Sequence, residues 1–345
     1  MDIGIVGATG YGGADLIRIL RHHPEVDHLH LYSSSQSGVD ISDSFPHLQL
    51  LNGETLNEIE PVKMGKMLDV VFLATPAGVS SELTPELLNE GIRVIDLSGD
   101  FRIKDAEIYE TWYKKKAAPQ EWISKAVYGL AEWEKELIRD AKLLANPGCF
   151  PTATLLGLLP LTHHSFIEED SIIVDAKTGV SGAGRGLSQA AHFSETNENF
   201  KIYKVNSHQH TPEIEQELAK FSMDAGAITF SSHLVPMTRG IMATIYAKVK
   251  DSISENEIHS AFQSCYSDSV FVNVRKAGEF PATKEVYGSN QCDIGLALDE
   301  RTGRITVVSV IDNLMKGAAG QAVQNFNLMF GFEETAGLTF LPVYP

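Results

Sequence analysis

Cys149 stands in Asn146-Pro147-Gly148-Cys149-Phe150-Pro151-Thr152, a single thiol between two prolines. Proline fixes φ and glycine permits backbone shapes that other residues resist, so the segment holds the sulfur in a restricted geometry. The apolar run after Thr152, through Leu159, predicts a helix that opens at Thr152. A thiol at a helix N-terminus feels the positive end of the dipole, which favours the nucleophilic thiolate. The alternative is a small buried core cysteine beside a turn.

Such a nucleophile needs a base. Ser207-His208-Gln209-His210-Thr211-Pro212-Glu213 sets two histidines two residues apart ahead of a helix start, with Thr211 as cap and Pro212 at a first helical position. Glu213 lies three residues after His210, within reach to orient an imidazole that acts as general acid and base. Either histidine alone also reads as a satisfied structural residue. The spacing is also that of metal ligands along a strand, but no third ligand is evident and no metal is expected. The stretch Gly179-Val180-Ser181-Gly182-Ala183-Gly184-Arg185-Gly186 reads as an anion cradle in which Ser181 and Arg185 meet a phosphate or carboxylate. Its alternative is a tight turn into a helix around 187–193. Arg102 follows the end of a strand, the edge where sheets of this kind bind ligands, although a solvated role suits a lone arginine equally.

These side chains need a frame, and the chain start supplies one half of it. Strand Ile3-Gly4-Ile5-Val6 runs into Gly7-Ala8-Thr9-Gly10-Tyr11-Gly12-Gly13 and then a helical pattern over about 12–22. Glycines at this point let a backbone approach a pyrophosphate, and the helix N-terminus supplies amide donors. A purely structural glycine turn is the alternative. The second strand ends in Ser33-Ser34-Ser35-Gln36-Ser37-Gly38. A carboxylate there would pair with the ribose hydroxyls of NAD, so hydroxyls without one favour NADP, unless this is a plain serine-rich loop.

Short apolar strands at Ile3–Val6, His28–Tyr32, Val70–Ala74, Val94–Leu97 and Leu143–Ala145 alternate with helical patterns, the second of these at about 79–90, where Pro85 predicts a pair of short turns or one broken helix. That alternation predicts a parallel α/β sheet. The polar region 104–125, with Lys114-Lys115-Lys116, reads as a surface insertion. After Cys149 come longer strands at Ser171–Ala176, Ile228–Ser232, Ala243–Val249, Val270–Val274 and Ile305–Ile311, which predict an α+β domain with an antiparallel or mixed sheet. Helix returns over 312–330, with small residues from Gly317 to Gly320 that suit close packing on the first domain. The expected division is 1–148, completed by 312–330, and 149–311.

At 345 residues and 43% apolar content, two domains are expected. The net charge of −17 argues against a nucleic-acid partner. The opening strand lacks the pattern of a secretory signal, and no run approaches a membrane span. Three cysteines, Cys149, Cys265 and Cys292, suggest neither a disulfide framework nor a zinc ribbon and fit a reducing cytoplasm.

Together, Gly7–Gly13, Asn146–Thr152, Gly179–Gly186, His208–Glu213 and Asp312–Asn325 (DNLMKGAAGQAVQN) resemble the N-acetyl-γ-glutamyl-phosphate reductases, over nearly the whole chain. These belong with the aspartate-semialdehyde dehydrogenases. The resemblance implies a Rossmann-type dinucleotide-binding domain plus an α+β substrate and dimerisation domain of the semialdehyde dehydrogenase type. It implies NADPH-dependent reduction of N-acetyl-L-glutamyl 5-phosphate to the 5-semialdehyde through a Cys149 thioester, with His210 as acid and base and Glu213 orienting it. His208 would contact substrate or support the site. The cofactor contacts it implies are Gly7, Thr9, Gly10, Tyr11, Gly12, Gly13, Ser33, Ser34, Ser35, Thr75, Pro76, Ser181, Gly182, Asn313 and Lys316. Arg102, Ser181, Arg185 and His208 would bind the substrate, and a homo-oligomer, dimer or tetramer, is implied. Members often carry a basic residue in the serine loop; here Ser35 and Gln36 stand there. An aspartate-semialdehyde dehydrogenase, a non-catalytic NADP-sensing module and a cysteine hydrolase are the competing readings.

Overall fold

A computed structural model describes residues 1–51, 53–222, 226–251 and 253–344. The chain forms two compact units, Met1–Pro147 with Ala318–Thr339, and Gly148–Gly317 with Phe340–Pro345. It therefore passes from the first to the second between Pro147 and Gly148, directly ahead of Cys149.

The first unit is built on a six-stranded sheet of β1 (Asp2–Val6), β2 (His28–Tyr32), β3 (Val70–Leu73), β4 (Arg93–Asp96), β5 (Val127–Tyr128) and β6 (Leu143–Ala145). All neighbours are parallel, in the order β2-β1-β3-β4-β6-β5. Parallel strands covered on both faces are apolar throughout rather than alternating, and every residue of β3 is buried. The helix Tyr11–Leu20 buries Leu16, Ile17, Ile19 and Leu20. Pro85 is accommodated inside one continuous helix, Ser80–Asn89.

The second unit carries a seven-stranded mixed sheet of β7 (Ile167–Thr178), β8 (Lys201–Tyr203), β9 (Thr229–Leu234), β10 (Ile241–Val249), β11 (Val272–Val274), β12 (Cys292–Asp299) and β13 (Arg304–Ile311). Their order is β11-β12-β13-β10-β7-β9-β8. In β10, Ile241, Ala243, Ile245, Ala247 and Val249 are buried in strict alternation, the period of a strand with one covered face. The cover is the helix Cys149–His163, buried from Phe150 to Thr162. Its Gly157 sits where a Cβ would come 2.9 Å from Ile245 Cδ1, so glycine sets how closely this helix approaches the sheet. Pro160 has no N–H to give the Leu156 carbonyl, and Tyr266 Oη donates to that carbonyl instead, at 2.6 Å.

Several expectations need correction. The helix opens at Cys149 with Gly148 as its cap, not at Thr152, whose hydroxyl donates back to the Gly148 carbonyl at 2.9 Å. Thr211 is the first residue of the helix Thr211–Leu218 and His210 occupies the cap position. The segment 312–330 is not one helix. Asp312 Oδ1 accepts from the amides of Leu314 and Met315, a local turn that delays the helix; a π-helical turn Met315–Ala319 and an α-helix Gly320–Phe330 follow. Asp312–Gly317 belongs to the second unit, because Asp312 also takes the Gly288 amide and Asn313 the Gly240 amide. No full helix forms around 187–193, only the short turns Gln189–Ala191 and Phe193–Thr196. Region 104–125 is more than a solvated insertion: its helices Ala106–Tyr113 and Gln120–Lys125 bury Tyr109 and Ile123, while Lys114, Lys115 and Lys116 are exposed. Strand β12 and the helix Glu255–Cys265 lie beyond the sequence expectations. No helix among the described residues is long and apolar enough to cross a membrane.

Candidate functional site

In the first unit the residues from Gly7 to Gly13 make a cradle from backbone. Gly7 has φ +86°, and a Cβ there would lie 2.4 Å from the Ala74 carbonyl oxygen at the end of β3. At Gly13 a Cβ would lie 2.4 Å from the Gly7 carbonyl oxygen. Both positions therefore require glycine. Gly10 caps the helix without a side-chain hydrogen bond, and the first-turn amides of Tyr11, Gly12 and Gly13 have no acceptor within the helix. Those donors, together with the dipole, fit the pyrophosphate of a dinucleotide. Beside this turn the Thr75 hydroxyl is buried without a hydrogen-bond partner, a polar atom that a ligand group would satisfy, and Pro76 next to it is exposed. Ser33 is buried and its Oγ accepts the Ser35 amide at 3.4 Å, leaving Ser34 and Ser35 exposed.

Arg102 belongs to this unit and is buried at 5% exposure. Its Nε donates to the Asn146 carbonyl at 2.7 Å and its Nη2 to the Leu97 carbonyl at 2.9 Å. Two of its donors thus brace the backbone at Leu97 and Asn146. Asn146 is anchored further by Asn325 Nδ2, at 3.0 Å, and by its own bond to the Ala318 carbonyl, at 3.1 Å.

The second unit holds Cys149, the candidate nucleophile. Cys149 is half-buried at the first helical position, and the amides of Cys149 and Phe150 lie in the turn whose donors have no helical acceptor. Glu213, fully buried, accepts the Gly148 amide at 2.8 Å. A Cβ on Gly148 would lie 2.6 Å from His210 Nε2, so the imidazole rests against the residue next to the thiol. From another element, a Cβ on Gly317 would lie 2.8 Å from Cys149 Cβ. Glycine on both approaches leaves room for the cysteine, and the π-helical turn presents the second of them.

His208 differs from His210. It is 4% exposed, enclosed by Phe150, Tyr203 and Phe230, and its Nδ1 accepts the His210 amide at 3.2 Å. Burial, and then the neighbouring Lys204 charge, push its pKa down to about 3, so the ring is neutral at physiological pH. Its bond to the His210 amide ties the two histidines together. Tyr203 is within electrostatic reach of Cys149; burial first and that neighbour second raise its phenol pKa.

The 179–186 segment is not an open backbone cradle. The amides of Gly179, Val180 and Ser181 bond the carbonyls of Gly240, Met237 and Thr238, while those of Gly182 and Gly184 bond within the turn. Ser181 Oγ accepts from Asn313 Nδ2 at 2.9 Å, and Asn313 Oδ1 takes the Gly240 amide at 2.8 Å, so Asn313 ties the loop to the end of β13. Arg185 is exposed. Lys316 is fully buried, with its ammonium 5.7 Å from the Phe271 ring centroid. Among the described residues no group of three or more His, Cys, Asp or Glu is arranged to hold a metal. The bonds that anchor Asn146 had no signal in the sequence, whereas the small-residue run at 317–320 signalled a close approach, which Gly317 makes to Cys149.

Residues 2–141 match the family model described as the NAD binding domain of semialdehyde dehydrogenases, and residues 149–313 match the model of their dimerisation domain. The chain is 61% identical to an N-acetyl-gamma-glutamyl-phosphate reductase of Geobacillus sp. (strain WCH70) and 60% identical to that of Bacillus subtilis (strain 168), each over 345 residues and all of both chains. In fold it is similar to aspartate semialdehyde dehydrogenase II from Vibrio cholerae, with TM-score 0.71 and 19% identity over 95% of this chain and 98% of that one. The Candida albicans aspartate semialdehyde dehydrogenase determined with NADP gives 0.68 and 17%, over 97% and 98%. The chain belongs to the N-acetyl-gamma-glutamyl-phosphate reductase family of the semialdehyde dehydrogenases.

Proposed function

We propose that the protein reduces N-acetyl-L-glutamyl 5-phosphate to N-acetyl-L-glutamate 5-semialdehyde, with release of phosphate, as a cytoplasmic, homo-oligomeric enzyme of arginine biosynthesis. The observation that carries the mechanism is Cys149 at the opening of a buried helix, with the His210 ring against Gly148 and Gly317 against the cysteine itself. The Cys149 thiolate attacks the acyl carbon; a C–S bond forms, the C–O bond to phosphate breaks, and inorganic phosphate leaves a thioester. The amides of the first helical turn are the donors suited to the carbonyl oxygen. NADPH, when bound, supplies the two-electron reducing equivalent that a thioester accepts more readily than a carboxylate. His210 gives a proton to the oxygen of the reduced carbon and takes it back as the thiohemiacetal releases aldehyde and thiolate. Glu213 orients His210 and also holds the Gly148 turn, and His208 supports His210 or contacts the substrate.

Gly7 to Gly13, with Thr9, would hold the dinucleotide, flanked by Thr75 and Pro76; Ser33, Ser34 and Ser35 form the loop expected to favour NADP. Arg185 is the exposed cation suited to the anionic substrate. Phosphate-dependent reduction of NADP in the presence of N-acetylglutamate semialdehyde tests this reading. Turnover with aspartate semialdehyde alone would overturn it.

A further inference from the structure

The reaction does not use Asp100, a fully buried carboxylate in the turn after β4. Both of its oxygens accept the Gly78 amide, each at 2.9 Å. Oδ2 also takes the Ser81 amide at 2.9 Å and Oδ1 the Tyr109 hydroxyl at 2.6 Å. The carboxylate is thus saturated by donors from the loop that leaves β3, from the first turn of the helix Ser80–Asn89 and from the helix Ala106–Tyr113. Gly78 has φ +96°, and the helix that begins at Ser80 has no side-chain cap of its own. Asp100 takes that part from a distant turn. Asp96, at the end of β4, secures the same loop by accepting from Ser80 Oγ at 2.6 Å. The turn bearing Asp100 is itself fixed, since Ser98 Oγ accepts the Asp100 amide at 3.2 Å and Tyr109 stacks on Tyr113 with ring centroids 4.6 Å apart.

The loop so held contains Ala74, whose carbonyl abuts Gly7, and Thr75, with its buried unpartnered hydroxyl. We propose that Asp100 is a positioning residue for dinucleotide binding: with Tyr109 it fixes the backbone of 75–79 against the Gly7 turn and so presents the Thr75 hydroxyl to the dinucleotide. The inference rests on the reading above that Thr75 and Pro76 border the cofactor.

Asp100→Asn keeps the shape but turns one acceptor oxygen into an NH2 that faces amide donors. NADPH titration, steady-state kinetics and thermal melts of the full-length protein and its variants provide the test. The expected result for Asp100→Asn is a rise of about tenfold in the NADPH dissociation constant and in its KM, with kcat and the KM of the acyl substrate changed less than about twofold. Tyr109→Phe, which keeps the carboxylate, should raise the NADPH constant about threefold. A merely structural role would lower the melting temperature and leave the NADPH constant unchanged, and that result would overturn the inference. If Asp100→Asn does not fold, Tyr109→Phe decides, and unchanged affinity there overturns it. Absence of NADPH binding by the unsubstituted protein would overturn the dinucleotide reading as well, which separates the two failures.

Discussion

The glycine cradle of the first unit and the cysteine site of the second are both turns that open a helix, but they are made of different material. In the cradle, Gly7 and Gly13 clear space for backbone, and the donors are main-chain amides. At Cys149 the glycines serve side chains: Gly148 admits the His210 ring, and Gly317 admits the cysteine. A backbone site depends on a short contiguous stretch. A side-chain site depends on distant elements, here the helices that open at Cys149 and Thr211 and the turn at Met315–Ala319. The lesson is that one substitution at the cradle acts locally, whereas the cysteine site has several supports, each able to disable it.

Four substitutions test that contrast. Cys149→Ser should lower turnover by at least about a thousandfold while NADPH affinity is unchanged, because the hydroxyl is a far weaker nucleophile at the same place; kinetics and a dinucleotide titration measure the two together. Gly148→Ala adds a Cβ 2.6 Å from His210 Nε2, and a displaced imidazole should cost about a hundredfold in kcat with NADPH binding kept. Gly13→Ala should do the reverse: its Cβ would lie 2.4 Å from a backbone oxygen that cannot turn away. NADPH affinity should fall at least about tenfold and stability by about 1–3 kcal/mol, with the rate of Cys149 alkylation by iodoacetamide in the absence of cofactor unchanged. If the alkylation rate fell as well, the two sites would not be separable in this way.

The smallest effect concerns His208. Its folded pKa of about 3 lies below the ordinary value of 6.5. Between these values the unfolded chain binds a proton that the folded chain refuses, so stability falls as pH falls through that window. This residue alone should remove about 2 kcal/mol between pH 6.5 and pH 5. Chemical denaturation across that range should show the loss, and His208→Asn, which keeps an acceptor for the His210 amide, should flatten the slope.

The contrast also accounts for what could be read from the sequence. The cradle was legible because strand, glycines and helix are contiguous, and Gly7 and Gly13 announce their geometry. Cys149 was legible for the same reason, its stiff flanks being local. For Glu213 only the spacing to His210 was legible: its bond to the Gly148 amide, 65 residues away, is made by the tertiary fold. For Arg102 the strand-end position was legible, but its bond to the Asn146 carbonyl, 44 residues away, is made by the tertiary fold. The glycines of 179–186 looked like a cradle, but the carbonyls that occupy their amides come mainly from Met237 to Gly240. The helix expected from Asp312 was displaced by the aspartate's own side chain, a turn chemistry that competes with helix at its start.

The most direct test of the account is to mix the protein with N-acetyl-L-glutamyl 5-phosphate in the absence of NADPH, quench with acid, and analyse the digest by mass spectrometry. The account predicts one N-acetylglutamyl group on the peptide that contains Cys149, labile to hydroxylamine and formed with one equivalent of released phosphate. An acyl group on a different residue, or NADPH-dependent turnover by Cys149→Ser at the rate of the unsubstituted protein, would contradict it.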